Sequence, residues 1–416
     1  MIGGGKLAVL RRGLRLQLVI VLAVLGGAPG TAFGQSASPT AAAAVELHSP
    51  ETAAALGRIE AYLESALPAP FPELLRLIAA REMNLFYEWR AHEAAALRAG
   101  LAPGAVEVVR RNAPVTGLSN DDALLITFGR QLYRERRVDS ERFAALVDRL
   151  GRQGTFDAIM LLTYPAMTGI LARALAEQPP ADRNPDELPA ITGVGTPTGR
   201  PGEFVALGPR PPLPADVYED SYYRFPLQRR EVLDARSREI FDRLVGADRD
   251  TTPRGPVGMT FNSPELVEPI QQLNSALRER GALSTRTSEI VIAATGREMN
   301  SQYQWAVHGA AAERAGAGRE VLDAIRDDGG LAELDQRDAV AIAFTRELFR
   351  EETVRPETFG AAVDLFGMRG AVEIAALIGD YLMVTTMYNA LGMCPRPDQE
   401  PTLPHRAGAP VGAEWR

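Results

Sequence analysis

The chain has 416 residues and a formal net charge of −8, with 24% charged and 46% apolar residues, a composition typical of a soluble protein long enough for two or three cores. No concentrated basic stripe lies beyond the N-terminal segment, which argues against a nucleic-acid partner. One cysteine, Cys394, excludes an internal disulfide framework and a dithiol redox pair.

In chain order, Lys6, Arg11, Arg12 and Arg15 precede an apolar run from Leu16 to Leu25 that only Gln17 interrupts, and small residues follow up to Gly34. A basic start, a short apolar core and a small-residue end predict a secretory signal peptide over 1–34. The run is shorter than the roughly 20 apolar residues that span a bilayer. The expectation is therefore a periplasmic or secreted protein with no stable membrane span after cleavage.

The rest of the chain is duplicated. Arg81-Glu82-Met83-Asn84 lies over Arg297-Glu298-Met299-Asn300, and Tyr87, Trp89 and His92 lie over Tyr303, Trp305 and His308, all at an offset of 216. The offset holds through Asp122 over Asp338, Phe128 over Phe344, Phe143 over Phe359 and Gly151 over Gly367. Upstream, Ser49-Pro50-Glu51 answers Ser263-Pro264-Glu265 with a two-residue slip. These matches predict a first domain over 48–178 and a second over 227–393. Between them, 179–226 contains eleven prolines and reads as a linker or a surface-wrapping strap, and 394–416 reads as a tail.

Within each repeat apolar residues return every three or four positions. Leu124, Leu125, Phe128 and Leu132 do so in one copy, and Val340, Ile342, Phe344 and Leu348 in the other. With no convincing alternating run, the fold class is all-α, with bundled helices in each copy.

The segment from Ser288 to His308, followed by Glu313-Arg314-Ala315-Gly316, resembles the signature region of the carboxymuconolactone decarboxylase-like (AhpD-like) family. It is similar to the branch that carries Arg-Glu-Trp-Asn and then Tyr-Glu-Trp and His. Met83 and Met299 stand where that branch has its first tryptophan, and Gln304 replaces the glutamate in the second copy. The resemblance implies two tandem AhpD-like helical bundles, a homo-oligomeric assembly and a small-molecule substrate.

AhpD-like peroxidases use Cys-x-x-Cys-x-x-x-His. Counting back from each histidine puts the cysteine positions at Leu85 and Glu88, and at Ser301 and Gln304, so the thiols of that chemistry are missing. By the same resemblance, Glu73 and Glu289 take the upstream glutamate position, and His92 and His308 the histidine. Residues 19 apart would lie about 28 Å apart on one unbroken helix, so the pair can meet only across a turn, for which Thr295-Gly296 is the candidate. A helix through Glu298, Ser301, Trp305 and His308 would place these on one face, as it would Glu82, Leu85, Trp89 and His92.

A carboxylate beside an imidazole sets its tautomer and charge and makes a proton shuttle. Tyr303 and Tyr87 add neutral donors, and Arg297 a cation for an oxyanion or carboxylate. The expectation is a cofactor-free acid–base enzyme of decarboxylase or lyase type, acting on a small organic acid or lactone. His308 would protonate carbon and Glu289 would orient it; the first copy, with Leu85 and Phe86, is greasier. The alternative is a non-catalytic binding or scaffold protein in which the histidines are hydrogen-bonded core residues. Trp89, Trp305, Met83 and Met299 read as packing. No His-Glu-x-x-His spacing suggests a metal.

Overall fold

Polar caps and buried apolar stripes divide the chain into helices, and a computed structural model describes residues 39–175, 186–191, 198–399 and 402–412. The expected signal peptide, 1–34, lies outside the described residues. The first half contains α1 (Pro39–His48), α2 (Pro50–Leu63), α3 (Phe71–Glu82), α4 (Phe86–Arg98), α5 (Pro103–Arg110), α6 (Asn120–Glu135) and α7 (Ser140–Ala174). After the strand β1 (Phe204–Val205) come α8 (Ala235–Phe241), α9 (Pro256–Thr260) and α10 (Pro264–Arg278). They continue into α11 (Thr285–Glu298), α12 (Gln302–Arg314), α13 (Arg319–Arg326), α14 (Gln336–Arg350) and α15 (Pro356–Leu391), and β2 (His405–Arg406) closes the order. The all-α reading holds: among the described residues the two strands are two residues each and pair with one another.

The helix order α2–α7 recurs as α10–α15. Both ends of α4 and α5 recur 216 residues on in α12 and α13. Starts are set by side-chain caps: Ser119 accepts from the Asp122 amide at 3.1 Å, and Ser284 from the Thr287 amide at 3.1 Å.

The two long helices carry the core. Nearly every residue of α7 from Thr155 to Leu171 is buried, and likewise α15 from Gly370 to Leu391. A helix that is apolar all round must be enclosed, and α7 and α15 enclose each other in the most extensive helix contact of the fold. α7 is long and apolar enough to cross a membrane, but 94% of its apolar window is buried inside the protein.

Each long helix is bent at a glycine, Gly151 (φ 71°, ψ 178°) and Gly367 (φ 73°, ψ 169°). This backbone region is essentially closed to residues with a Cβ, at a cost of about 1–3 kcal/mol. At Gly367 an added Cβ meets nothing within 4 Å, so the whole penalty is backbone strain. Gly367→Ala is therefore expected to lower stability by about 1–3 kcal/mol without disturbing packing, read as a fall in the urea midpoint at unchanged slope; an unchanged midpoint would show that the bend is unstrained.

The repeats are interlocked rather than strung apart. α2 packs on α10. Ser49 donates from its Oγ to Glu373 at 3.1 Å, and Ser263 from its Oγ to Asp157 at 2.6 Å. Each serine thus binds the acid of the other half, and the two acids are themselves 216 apart. Buried residues of both halves form one hydrophobic cluster, while Leu233, Ile240, Phe241, Phe261 and Val267 form a small satellite where α8 meets α10.

The proline-rich stretch is packed where it is described. Arg81 donates to the Pro189 carbonyl at 2.8 Å, Tyr223 is fully buried, and the Arg224 amide donates to the Leu391 carbonyl at 2.9 Å. Residues 402–412, read from the sequence as tail, fold back onto the second repeat, where Arg406 is 0% exposed.

Candidate functional site

The expected carboxylate–imidazole pairs form. Glu289 lies in the second turn of α11 and His308 in the second turn of α12, and His308 Nδ1 lies 2.7 Å from Glu289 Oε2. In the first repeat His92 Nδ1 lies 2.9 Å from Glu73 Oε2.

The turn that brings them together is not at Thr295-Gly296, through which α11 runs unbroken to Glu298. The reversal comes at Asn300, whose φ is 51°, a left-handed conformation that asparagine tolerates better than most residues. Ser301 then caps α12 by accepting from the Gln304 amide at 3.2 Å. Gly296 permits close approach instead, since a Cβ there would sit 3.0 Å from the Gln304 Cβ. Asn84, at φ 56°, makes the matching turn in the first repeat.

That turn also corrects the proposed shared face. Glu298 ends α11 and faces away from His308, accepting from Arg350 Nη2 at 2.6 Å and from Arg406 Nη1 and Nη2 at 2.9 Å each. Arg297 donates to the carbonyls of Arg326 at 3.2 Å and Pro404 at 2.6 Å, and to the Asn300 side chain. Burial, with Arg406 beside it, lowers its pKa to about 10. The first repeat repeats the scheme: Glu82 is held by Arg134, and Arg81 reaches the Arg110 and Pro189 carbonyls. The Arg-Glu-Met-Asn motif is thus a device that ties chain segments together. Trp305 belongs with it, donating to Thr402 Oγ1 at 3.0 Å, and so does Gln302, which exchanges two bonds with the Leu403 backbone.

Tyr303 is half-buried and packs edge-on against Tyr388 at 5.1 Å; Tyr87 packs against Phe86 at 5.9 Å. The ring against His308 is Tyr381, edge-on at 4.9 Å. Arg278, at the end of α10, pairs with the second lobe of Glu289. Asp380 is buried next to Tyr381, and burial raises its carboxyl to about 7 against the opposing pull of Arg278. Arg278, Asp380 and Tyr381 are not among the site residues expected from the sequence; they reach the pair from α10 and α15.

The two imidazoles are shifted in opposite directions. Burial pushes His308 down and outweighs Glu289, whereas His92, equally buried, is raised to about 9 because Glu73 and Glu88 together outweigh desolvation. His92 Nε2 lies 3.6 Å from Glu88 Oε2, and Thr168 donates to the other Glu88 oxygen at 2.6 Å. Glu73 and Glu289 are both held below their ordinary value, burial notwithstanding, by their histidine and a nearby arginine.

Two surface cavities lie elsewhere. One of about 220 Å³ is lined by prolines with Arg210, Tyr222 and Cys394; one of about 20 Å³, room for a single water, adjoins Arg136, Gln302 and His405. Neither is lined by His92 or His308. Among the described residues no three His, Cys, Asp or Glu side chains converge as a metal-ligand set.

Residues 264–347, which hold α10 to most of α14 and hence Arg278, Glu289 and His308, match the model of the carboxymuconolactone decarboxylase family. The chain carries a carboxymuconolactone decarboxylase family domain. No curated protein matches the chain. The matched segment of this carboxymuconolactone decarboxylase domain ends before α15, so Asp380 and Tyr381 complete the surroundings of the pair from outside it.

Proposed function

We propose that the second repeat is a cofactor-free acid–base site of lyase type, releasing carbon dioxide from a small β-keto or vinylogous acid, in a protein exported from the cytoplasm. The observation that carries the reading is the 2.7 Å His308–Glu289 bond. Nδ1–H donates to the carboxylate, which fixes the tautomer and leaves the Nε2 lone pair free as a base. No protein group among the described residues bonds to Nε2. Arg278 keeps Glu289 ionised, and Tyr381 walls one edge of the ring.

The step balances without a co-reactant. An acid bound in its undissociated form passes its carboxyl proton to Nε2, the bond between the carboxyl carbon and the framework breaks, and carbon dioxide leaves. The electron pair remains as an enolate, and Nε2–H returns the proton to carbon. The burial of the pair favours the neutral acid over the carboxylate.

The second reading, a binding or scaffold protein, draws on the packing role of Arg297, Glu298, Arg81 and Glu82. The test is release of carbon dioxide from a panel of β-keto acids and unsaturated lactone acids by the purified chain. Release that survives His308→Gln would overturn the lyase reading.

A further inference from the structure

Beside the histidines, the repeats differ at one position whose geometry is fully defined. Glu88 and Gln304 occupy the same place, four residues before His92 and His308, on one face of α4 and α12. In the first repeat Glu88 accepts from Thr168 through one oxygen, and its other oxygen faces His92 Nε2 across 3.6 Å, an ion-pair distance at which neither atom has a hydrogen-bond partner among the described residues. In the second, Val384 stands where Thr168 stood, and Gln304 is 1% exposed with neither its amide oxygen nor its amide nitrogen partnered among the described residues. Buried polar groups normally find partners, so an amide one helical turn before His308 with both functions unspent points to a ligand.

Building on the acid–base reading, we propose that this position divides the labour of the repeats: Gln304 positions the substrate and leaves His308 a free base, whereas Glu88 locks His92 into an ion cluster. An amide carries a donor for the carbonyl oxygen of an undissociated carboxyl group, which Gln304 Nε2–H would hold so that the O–H is left pointing at Nε2 of His308. This is the group whose proton Nε2 of His308 takes up.

The groups that bear on each ring differ accordingly. His308 faces Glu289 from α11, Arg278 from α10 and Tyr381 from α15, with Asp380 acting on Tyr381. His92 faces Glu73 and Arg76 from α3 and Glu88 from α4, with Tyr164 of α7 and Glu60 of α2 acting on the same cluster. Only in the first repeat do two carboxylates flank the ring, one at each nitrogen.

The experiment is ring-nitrogen NMR of the full chain against pH, with resonances assigned by single His→Gln replacements. Gln304→Glu is expected to raise the His308 midpoint by at least one unit, and Glu88→Gln to lower that of His92 by at least one unit from about 9. Glu88→Gln removes a buried charge, so it serves if Gln304→Glu does not fold. Midpoints that stay in place in the folded variants would overturn the proposal. For the ligand, propanoic acid added at pH 5 is expected to shift the His308 ring resonances, with binding weakened at least tenfold in Gln304→Met; no shift in the parent, or equal binding in the variant, would overturn the substrate-facing role. Neither readout needs turnover. Midpoints that respond as expected in a chain releasing no carbon dioxide would uphold this division and sink only the lyase reading.

Discussion

His308→Gln and Glu289→Gln are each expected to lower turnover by about a hundredfold or more, and the double variant to fall little further. The carboxylate acts on the reaction only through the imidazole, by fixing its tautomer and stabilising its charged form, so removing either partner removes most of what the pair supplies. In the first repeat the balance differs. His92 sits between two carboxylates, so His92→Gln is expected to leave turnover near that of the parent while lowering the melting temperature, because it strands buried charge. Turnover and melting temperature measured on the three single variants separate the two roles. Lower stability with unchanged turnover in both second-repeat variants would overturn the catalytic assignment.

Arg406→Met is expected to be the most destabilising single change, by about 3 kcal/mol or more. Arg406 is 0% exposed and makes two 2.9 Å bonds to Glu298, and its Nε lies 2.8 Å from Asp328. Without it two buried carboxylates share Arg350 alone, whose Nη2 lies 2.6 Å from each. The same cluster predicts acid sensitivity. Burial works against ionisation of Asp328, but Arg406 outweighs it and holds the carboxyl near 2, below the ordinary 3.8. A depressed folded-state pKa contributes stability that is fully present above about pH 4 and is lost as the pH falls towards 2. Urea midpoints of parent and variant should therefore converge over that interval; a gap as wide at pH 2 as at pH 7 would show that the guanidinium contributes through packing alone.

Much of the fold was legible because duplication is a strong signal: an offset of 216, with a two-residue slip upstream, carried six helices of one half onto the other, and the carboxylate–imidazole pairs followed from the same alignment. What escaped were groups without local pattern. Arg278 and Tyr381 come from other helices, and no sequence spacing ties them to the pair. Reading Glu298 and His308 as one helical face failed because Asn300 adopts a left-handed turn that helical periodicity cannot register. The role of Glu88 against Gln304 was visible in the alignment as a single changed residue, but its effect on charge required knowing that this side chain reaches the second ring nitrogen. The C-terminal segment looked like a tail because Arg406 has no apolar pattern; it is buried by ion pairing, which leaves no periodic trace.

The crossed serine–acid bonds set a schedule for the making of this protein. Ser49 waits for Glu373, 324 residues later, and the apolar face of α7 waits for α15, 216 residues behind it. At synthesis rates of about 5–20 residues per second, the first repeat would stand with that face uncovered for roughly 10–40 s before its cover is made. Contacts so distant in sequence also slow the final collapse, since long loops must close before burial rewards them. A nascent chain halted before α15 is thus a sticky intermediate, and escort by a chaperone during that interval would matter more here than for two domains that close independently.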